Sequence, residues 1–322
     1  MKPKVFVTRQ IPEIGLARVR EVCDLDLWEH EDPAPYDQLL ERVRGVDGIL
    51  CTLTERIDEG LIAAAGANLK VISQMAVGYD NIDVRAAHAR GIPVGNTPGV
   101  LTAATADLAF ALLLAAARRL SEGVQYIRGG QWTTWQPRHL LGADLNGATL
   151  GIIGLGRIGK AVAQRARGFD MNILAYSRHL TDEEARAHGA TRIDLPTLLH
   201  ESDFVSLHTP LTPDTRHLIN RETLAEMKQT AILINTTRGG TIDPHALYEA
   251  LRDNVIAAAA LDVTEPEPIP LDDPLLTLPN CLIVPHIGSA TVKTRDKMAL
   301  MAAENLIAGV TGQPLPTAVK LG

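Results

Sequence analysis

A chain of 322 residues is long enough for about two compact domains. With 46% hydrophobic and 21% charged residues its composition is ordinary for a globular protein, and a formal net charge of -7 disfavours nucleic acid or an anionic membrane surface as the main partner. Cys23, Cys51 and Cys281 are scattered without metal-ligand spacing, the opening M-K-P-K-V-F-V-T is interrupted too soon for a signal peptide, and the most apolar helical stretch, 108–117, falls far short of the ~20 residues of a membrane span. A cytoplasmic protein with reduced thiols and no metal is expected.

In chain order, strands are expected at 4–8, 25–28, 48–53, 70–74 and 93–95, with helices at 12–22, 35–43, 58–65 and 84–90 between them. Strands alternating with helices imply parallel pairing, and so a first α/β domain that ends near Pro98. The alanine-rich stretch 102–120 reads as one long helix used for core packing or a subunit contact. Residues 123–147 are poor formers of regular structure, and they carry Trp132, Trp135 and Pro137 in G-G-Q-W-T-T-W-Q-P-R. Rings of that size are costly to leave in water. They are expected beneath their own loop, in a subunit interface or in a substrate-pocket wall.

The second half is organised around 150–160, L-G-I-I-G-L-G-R-I-G-K. Residues 150–153 read as a short buried strand, and Gly154, Gly156 and Gly159 form G-x-G-x-x-G before a helical run over 157–169. In that setting the first glycine makes the tight turn, the second admits a pyrophosphate and the third lets helix pack on strand. The helix N-terminus offers free N–H groups to phosphates. Strands follow at 172–176, 203–208, 231–235, 256–261 and 281–284, with helices at 182–188, 195–201, 221–227, 243–251 and a final amphipathic helix at 290–308. This is a second doubly wound unit that binds a dinucleotide.

Ligands of open α/β sheets sit beyond the carboxyl ends of the strands, so the residues just past the late strands matter. Arg238 follows the strand at 231–235, Glu267 follows 256–261, and His286 follows 281–284. Hydride transfer to a 2-oxo acid needs a cation for the carboxylate and carbonyl, and a proton donor for the carbonyl oxygen. Arginine supplies a planar fork, and histidine is the side chain that best gives and takes a proton near neutral pH. A carboxylate on the second ring nitrogen would fix the tautomer and favour the imidazolium. Pro266 and Pro268 stiffen the loop that aims Glu267.

The cofactor can be read further. A carboxylate about 20 residues past the glycines would hold a ribose 2′-hydroxyl and repel a 2′-phosphate. Here Ser177, Arg178 and His179 follow the strand 172–176, and no acid appears before Asp182. A hydroxyl and a guanidinium suit a phosphate dianion, so NADPH is expected in preference to NADH.

Five stretches in order, V-G-Y-D-N-I-D (77–83), G-L-G-R-I-G (154–159), N-T-T-R-G-G (235–240), L-D-V-T-E-P-E-P (261–268) and P-H-I-G-S-A-T (285–291), give the chain a full-length resemblance to the D-isomer-specific 2-hydroxyacid dehydrogenase family. W-T-T-W-Q-P, T-E-P-E-P-I-P and G-Q-P-L-P look most like its glyoxylate/hydroxypyruvate reductase branch. The resemblance implies two doubly wound parallel-sheet α/β domains. One is a Rossmann cofactor domain over 101–288; the other is a flavodoxin-like substrate domain made of 1–100 and 289–322. It implies Arg238, Glu267 and His286 as the catalytic triad, with the backbone N–H groups of Val77 and Gly78 on the substrate carboxylate. Leu53 and Ser289 would line the substrate site, and Trp135 would reach into that of a partner subunit. Gly154, Gly156, Arg157, Ile158, Gly159, Ser177, Arg178, Thr209 and Thr236 would contact the cofactor, with Asp262 and Gly288 near the nicotinamide. A homodimer built on the 102–120 helix is implied as well.

The activity so implied is NADPH-dependent reduction of small 2-oxo acids, glyoxylate to glycolate and hydroxypyruvate to D-glycerate, with His286 as general acid and no metal. Two departures stand out: the acid after the second Rossmann strand is missing, and Thr264 replaces a usual aromatic. The competing readings are a dehydrogenase of the 2-ketogluconate or D-lactate type, a formate-type dehydrogenase, which would not need Glu267 beside His286, and a nucleotide-sensing scaffold.

Overall fold

The computed structural model describes residues 1–320; Leu321 and Gly322, the end of the expected substrate domain, lie outside the described residues. The chain divides into two compact units, one of Met1–Leu101 with Ser289–Gly322 and one of Thr102–Gly288. Among the described residues no helix is long and apolar enough to cross a membrane.

The first unit alternates β1 (Lys4–Val7), α1 (Glu13–Val22), β2 (Asp24–Leu27), α2 (Tyr36–Arg42), β3 (Gly48–Cys51), α3 (Glu59–Ala65), β4 (Val71–Gln74), α4 (Val84–Ala89) and β5 (Val94–Gly95). β3 and β4 are buried along their whole length, as strands of a sheet covered on both faces must be. All pairings are parallel, in the flavodoxin-like order β2-β1-β3-β4-β5. Helices begin where a carboxylate can take an orphan N–H: Asp58 accepts from Leu61 ahead of α3, and Asp83 from Ala86 ahead of α4. The C-terminal helix, Val292–Val310, packs on α1, β3 and β4 of this same unit. It buries Met298, Ala299, Ala302 and Leu306, and Ser73 Oγ on β4 donates to the Ala302 carbonyl at 2.7 Å.

The second unit opens with α5 (Thr102–Ala117) and α6 (Leu120–Arg128). There follow β6 (Thr149–Ile153), α7 (Arg157–Ala166), β7 (Asn172–Tyr176), α8 (Asp182–Ala187), β8 (Thr191–Arg192), α9 (Leu195–Glu201) and β9 (Phe204–Leu207). The unit closes with α10 (Arg221–Ala225), β10 (Ile232–Asn235), α11 (Pro244–Arg252), β11 (Ala258–Leu261) and β12 (Cys281–Ile283). Its seven strands run parallel in the order β12-β11-β10-β9-β6-β7-β8, a Rossmann sheet with one strand added beyond β11. On one face Leu150, Ile152 and Ile234 pack with Phe110, Leu113 and Ala163 from α5 and α7. On the other, Val205, Leu233 and Ala259 pack with Leu198 of α9 and Leu247 of α11.

One expected element is corrected. The stretch 102–120 is not a single helix: α5 stops at Ala117, Arg119 adopts a left-handed conformation (φ 50°), and a new helix starts at Leu120. Arginine and leucine are good helix formers, so propensity gives no warning of the break. The break is held by Arg119 itself, whose guanidinium bonds both carboxylate oxygens of Glu122 at 2.8 and 2.6 Å in the first turn of α6. The expected irregular stretch is therefore helical as far as Arg128. No α6 residue is buried, and Leu120, Val124 and Ile127 share one exposed apolar face. Trp132 and Trp135 are 64% and 79% exposed, so they do not pack beneath their own loop.

Candidate active site

The glycine loop lies between β6 and α7 at the carboxyl edge of the second unit's sheet. Gly154 has φ 100°, and a Cβ there would stand 2.6 Å from the backbone of His208. A Cβ on Gly159 would stand 2.2 Å from the Gly154 carbonyl oxygen, so the first turn of α7 sits directly on the loop. Gly156 differs: among the described residues, its own chain neighbours aside, nothing lies within 4 Å of where its Cβ would be. Packing does not demand glycine at that position, and the open space is what a pyrophosphate needs. Arg157 and Ile158 form the first turn of α7, whose N-terminal N–H groups point at that space.

Two polar atoms that find no partner among the described residues lie at the same edge. Leu207 and Asn235, the last residues of β9 and β10, are paired in register, and the next residues are His208 and Thr236. His208 Nε2 bonds Ser206 Oγ at 2.8 Å, while its Nδ1 is sealed from solvent with no hydrogen-bond partner; Thr236 Oγ1 is in the same state. Burial pushes the His208 imidazole down to about 3, so the ring is neutral. Unpaired buried donors and acceptors of this kind suit a polar ligand laid along the strand ends. With the cradle at Gly156 they fit a dinucleotide. Thr209, the other expected cofactor contact of this loop, directly follows His208.

Beyond β7 the expected phosphate-reading pair is more engaged than the sequence suggests. Ser177 Oγ accepts the Leu155 N–H at 2.7 Å and so braces the glycine loop. Arg178 Nη2 bonds Asp214 Oδ2 at 2.6 Å, and that hydrogen bond and the charge of Asp214 hold the guanidinium pKa above its ordinary value. Asp214 had no signal in the sequence, because it lies 36 residues away in a different loop.

The triad residues come from three successive strand ends. After β10, buried Asn235 ties the turn together: its Nδ2 donates to the Arg238 carbonyl (2.9 Å) and to Thr241 Oγ1 (3.1 Å), while its Oδ1 accepts from Thr237. Arg238 is extended there and donates from Nη1 to the Thr237 carbonyl at 3.0 Å. After β11, buried Asp262 leads into the loop that carries Glu267. After β12, His286 takes a left-handed backbone (φ 51°), with its N–H on the Asp262 carbonyl at 2.9 Å. His286 Nδ1 meets Glu267 Oε1 at 2.5 Å. That bond leaves Nε2 as the ring's outward atom.

Asp262 is the brace behind the histidine. Its two oxygens accept the N–H groups of Ile287 (2.6 Å) and Gly288 (2.8 Å), and a Cβ on Gly288 would approach Asp262 Oδ2 to 2.9 Å. Burial pushes the Asp262 carboxyl up, against the opposing pull of those N–H groups and of a charge on His286. Asp262 and Gly288, expected near the nicotinamide, are thus bonded to each other and fix the backbone around His286.

The expected substrate residues of the first unit also lie past strand ends. Val77 and Gly78 follow β4, where Asn96 Nδ2 donates to the Val77 carbonyl (2.8 Å) and Gln74 Nε2 to that of Gly78 (3.1 Å). Their carbonyls are pinned; among the described residues their N–H groups find no acceptor. Leu53 follows β3 beside a group that sequence reasoning missed. Buried Glu55 accepts from Thr8 Oγ1 (2.8 Å), Thr52 N–H (2.7 Å) and Thr54 Oγ1 (2.5 Å). The signal was the hydroxyl-rich T-L-T-E itself, since a buried carboxylate must be surrounded by donors. Ser289, the first residue of the chain's return to this unit, accepts the Thr291 N–H at 2.8 Å through its carbonyl.

A Rossmann sheet with a nucleotide cradle, and a histidine–carboxylate pair at its edge, define a nicotinamide-dependent oxidoreductase. The family model for the D-isomer specific 2-hydroxyacid dehydrogenase NAD binding domain matches residues 110–288, and the chain belongs to that family. It is 53% identical over 320 residues to the glyoxylate reductase of Korarchaeum cryptofilum, covering 99% of this chain and 96% of the relative. It is 47% identical over 322 residues to the human glyoxylate reductase/hydroxypyruvate reductase, covering 99% and 98%. Among solved structures it is similar to the NADPH-dependent glyoxylate/hydroxypyruvate reductase of Sinorhizobium meliloti in complex with NADP and malonate, with a TM-score of 0.88, 34% identity and coverage of 99% and 97%.

Proposed function

We propose that this chain reduces small 2-oxo acids, glyoxylate and hydroxypyruvate foremost, with NADPH as the hydride donor. The observation that carries the reading is the 2.5 Å bond between Glu267 and His286 Nδ1. It orients the ring, directs Nε2 outward and places a carboxylate behind the opposite ring nitrogen. A nicotinamide cofactor held by the glycine loop at 154–159 would supply the hydride that the carbonyl carbon takes up. His286 Nε2 gives its proton to the carbonyl oxygen, and the 2-oxo acid becomes a 2-hydroxy acid. Arg238 presents its fork to the carboxylate and the polarised carbonyl. The N–H groups of Val77 and Gly78 are assigned to the carboxylate, and Leu53 and Ser289 to the lining of the substrate site.

NADPH is preferred in this reading because Arg178 offers a cation past β7 and no acid accompanies it in sequence; the named relatives at 47–53% identity support the substrate class. We assign a homodimer, with the exposed row of Leu120, Val124 and Ile127 and the two uncovered tryptophans as the face a second copy buries, and Trp135 as the ring that enters the partner's site. The unbridged cysteines support a cytoplasmic location. The test is nicotinamide absorbance over a panel of 2-oxo acids with NADPH and with NADH. Turnover of glyoxylate and hydroxypyruvate above bulkier 2-oxo acids supports the reading; turnover of none of them overturns it.

A further inference from the structure

Arg216 and His217 have no part in the site described so far. The loop after β9 turns back at 212–217, where Thr215 Oγ1 accepts the Thr212 N–H (2.8 Å) and donates to the Pro210 carbonyl (2.6 Å). From there its backbone is laced to the turn that carries Arg238. His217 N–H donates to the Gly240 carbonyl at 2.9 Å, and Ile219 N–H to that of Thr241 at 3.1 Å.

Its side chains reach a different loop. Arg216 meets Glu265 with both terminal nitrogens, Nη1 to Oε1 at 3.0 Å and Nη2 to Oε2 at 3.2 Å, and His217 Nε2 lies 3.2 Å from the same Oε2. Glu265 stands two residues before Glu267. The Arg238 turn and the Glu267 loop also touch directly: a Cβ on Gly239 would fall 2.0 Å from the Thr264 carbonyl. One on Gly240 would stand 3.0 Å from Glu265 Oε1 and 3.1 Å from Arg216 Nη1. The ion pair therefore spans the seam between the two loops.

We propose that Arg216, acting through Glu265, is a positioning residue that holds the Glu267 loop in register with the Arg238 turn and so sets the aim of Glu267 at His286. The proposal rests on the reading of His286 as proton donor. A half-exposed ion pair contributes little to global stability, but a two-pronged fork fixes direction as well as distance. Direction is what an orienting carboxylate needs. A misplacement of ~1 Å in a catalytic constellation costs up to about a hundredfold in rate.

The experiment compares Arg216→Ala, Glu265→Ala, their double variant and Arg216→Lys in steady-state reduction of glyoxylate by NADPH. Each alanine variant should lower kcat by roughly ten- to a hundredfold while KM for NADPH and the thermal midpoint stay at the parent values. The double variant should be no worse than either single one, because the two act as a unit. Arg216→Lys should recover part of kcat, since lysine restores the charge without the fork. A kcat within about twofold of the parent, or losses that simply add, overturns the proposal. So does a kcat that falls only in step with cofactor affinity and thermal midpoint. His286→Ala separates this from the underlying reading: if that variant keeps its turnover, the proton-donor assignment itself is wrong.

Discussion

Replacing Arg178 by alanine should weaken NADPH far more than NADH. In the structure the guanidinium is bonded to Asp214 at 2.6 Å, and both side chains are more than half exposed. Such a surface pair is easily given up, so it does not block a better acceptor. A 2′-phosphate dianion would take two charge-assisted bonds from the same fork. Because binding gives up the bond to Asp214, the net gain is about one such bond, ~1.5–3 kcal/mol, and losing it corresponds to roughly a ten- to hundredfold loss of NADPH affinity. The upper half of that range is expected, because Arg178→Ala leaves Asp214 as an unpaired carboxylate beside the phosphate. The converse substitution, Asp214→Asn, should strengthen NADPH by a few-fold at low salt and less at high salt, as screening requires. Titration of nicotinamide fluorescence gives both affinities, and kcat/KM with each cofactor gives the preference. An unmodified enzyme that prefers NADH, or an Arg178→Ala variant that loses both cofactors equally, would refute the reasoning.

His286→Ala should lower kcat by about 10²–10⁴-fold with cofactor affinity unchanged, a separation read from steady-state rates and fluorescence titration. Trp135→Ala should alter the ratio of kcat/KM for hydroxypyruvate over glyoxylate; an equal loss on both substrates would mean the loop is only destabilised. The buried His208, held neutral at about 3, should make the unfolding free energy fall as pH drops below about 6.5, because the unfolded chain takes up a proton that the folded site refuses. Chemical denaturation at several pH values should give a flatter curve for His208→Gln, and an equally steep one would exclude this histidine as the cause.

The parts of the fold that could be read from sequence were those with local causes. G-L-G-R-I-G is legible because the turn at Gly154 and the helix contact at Gly159 forbid a side chain through contacts within that loop and its strand neighbours, while Gly156 keeps an approach open. The buried strands announce themselves as short apolar runs. Glu267 and His286 could be brought together in advance because parallel strands put all their carboxyl ends on one edge. What stayed hidden depends on long-range pairing or on a backbone choice. Arg178 finds Asp214, and Arg216 finds Glu265 across 49 residues, with nothing in either local sequence to name the partner. The break at Arg119 is flanked by Ala115, Ala116, Ala117, Arg118 and Leu120, all good helix formers. Asp262 was expected near the nicotinamide by resemblance, and only the positions of the Ile287 and Gly288 N–H groups reveal that it braces the backbone around His286.

The return of the chain to the first unit has a consequence in time. The helix Val292–Val310 covers β3 and β4, yet the whole of Thr102–Gly288 separates it from them in sequence. During synthesis the five strands of the first sheet emerge early, with one flank still bare. The second unit, in contrast, is contiguous and has all its strands and helices to hand by Gly288. The nucleotide-binding half can therefore reach its native state while the half that precedes it still awaits Met298, Ala302 and Leu306. The order of completion runs opposite to the order of translation, and the exposed flank of β3 and β4 is the surface that a nascent-chain partner would have to protect in the interval.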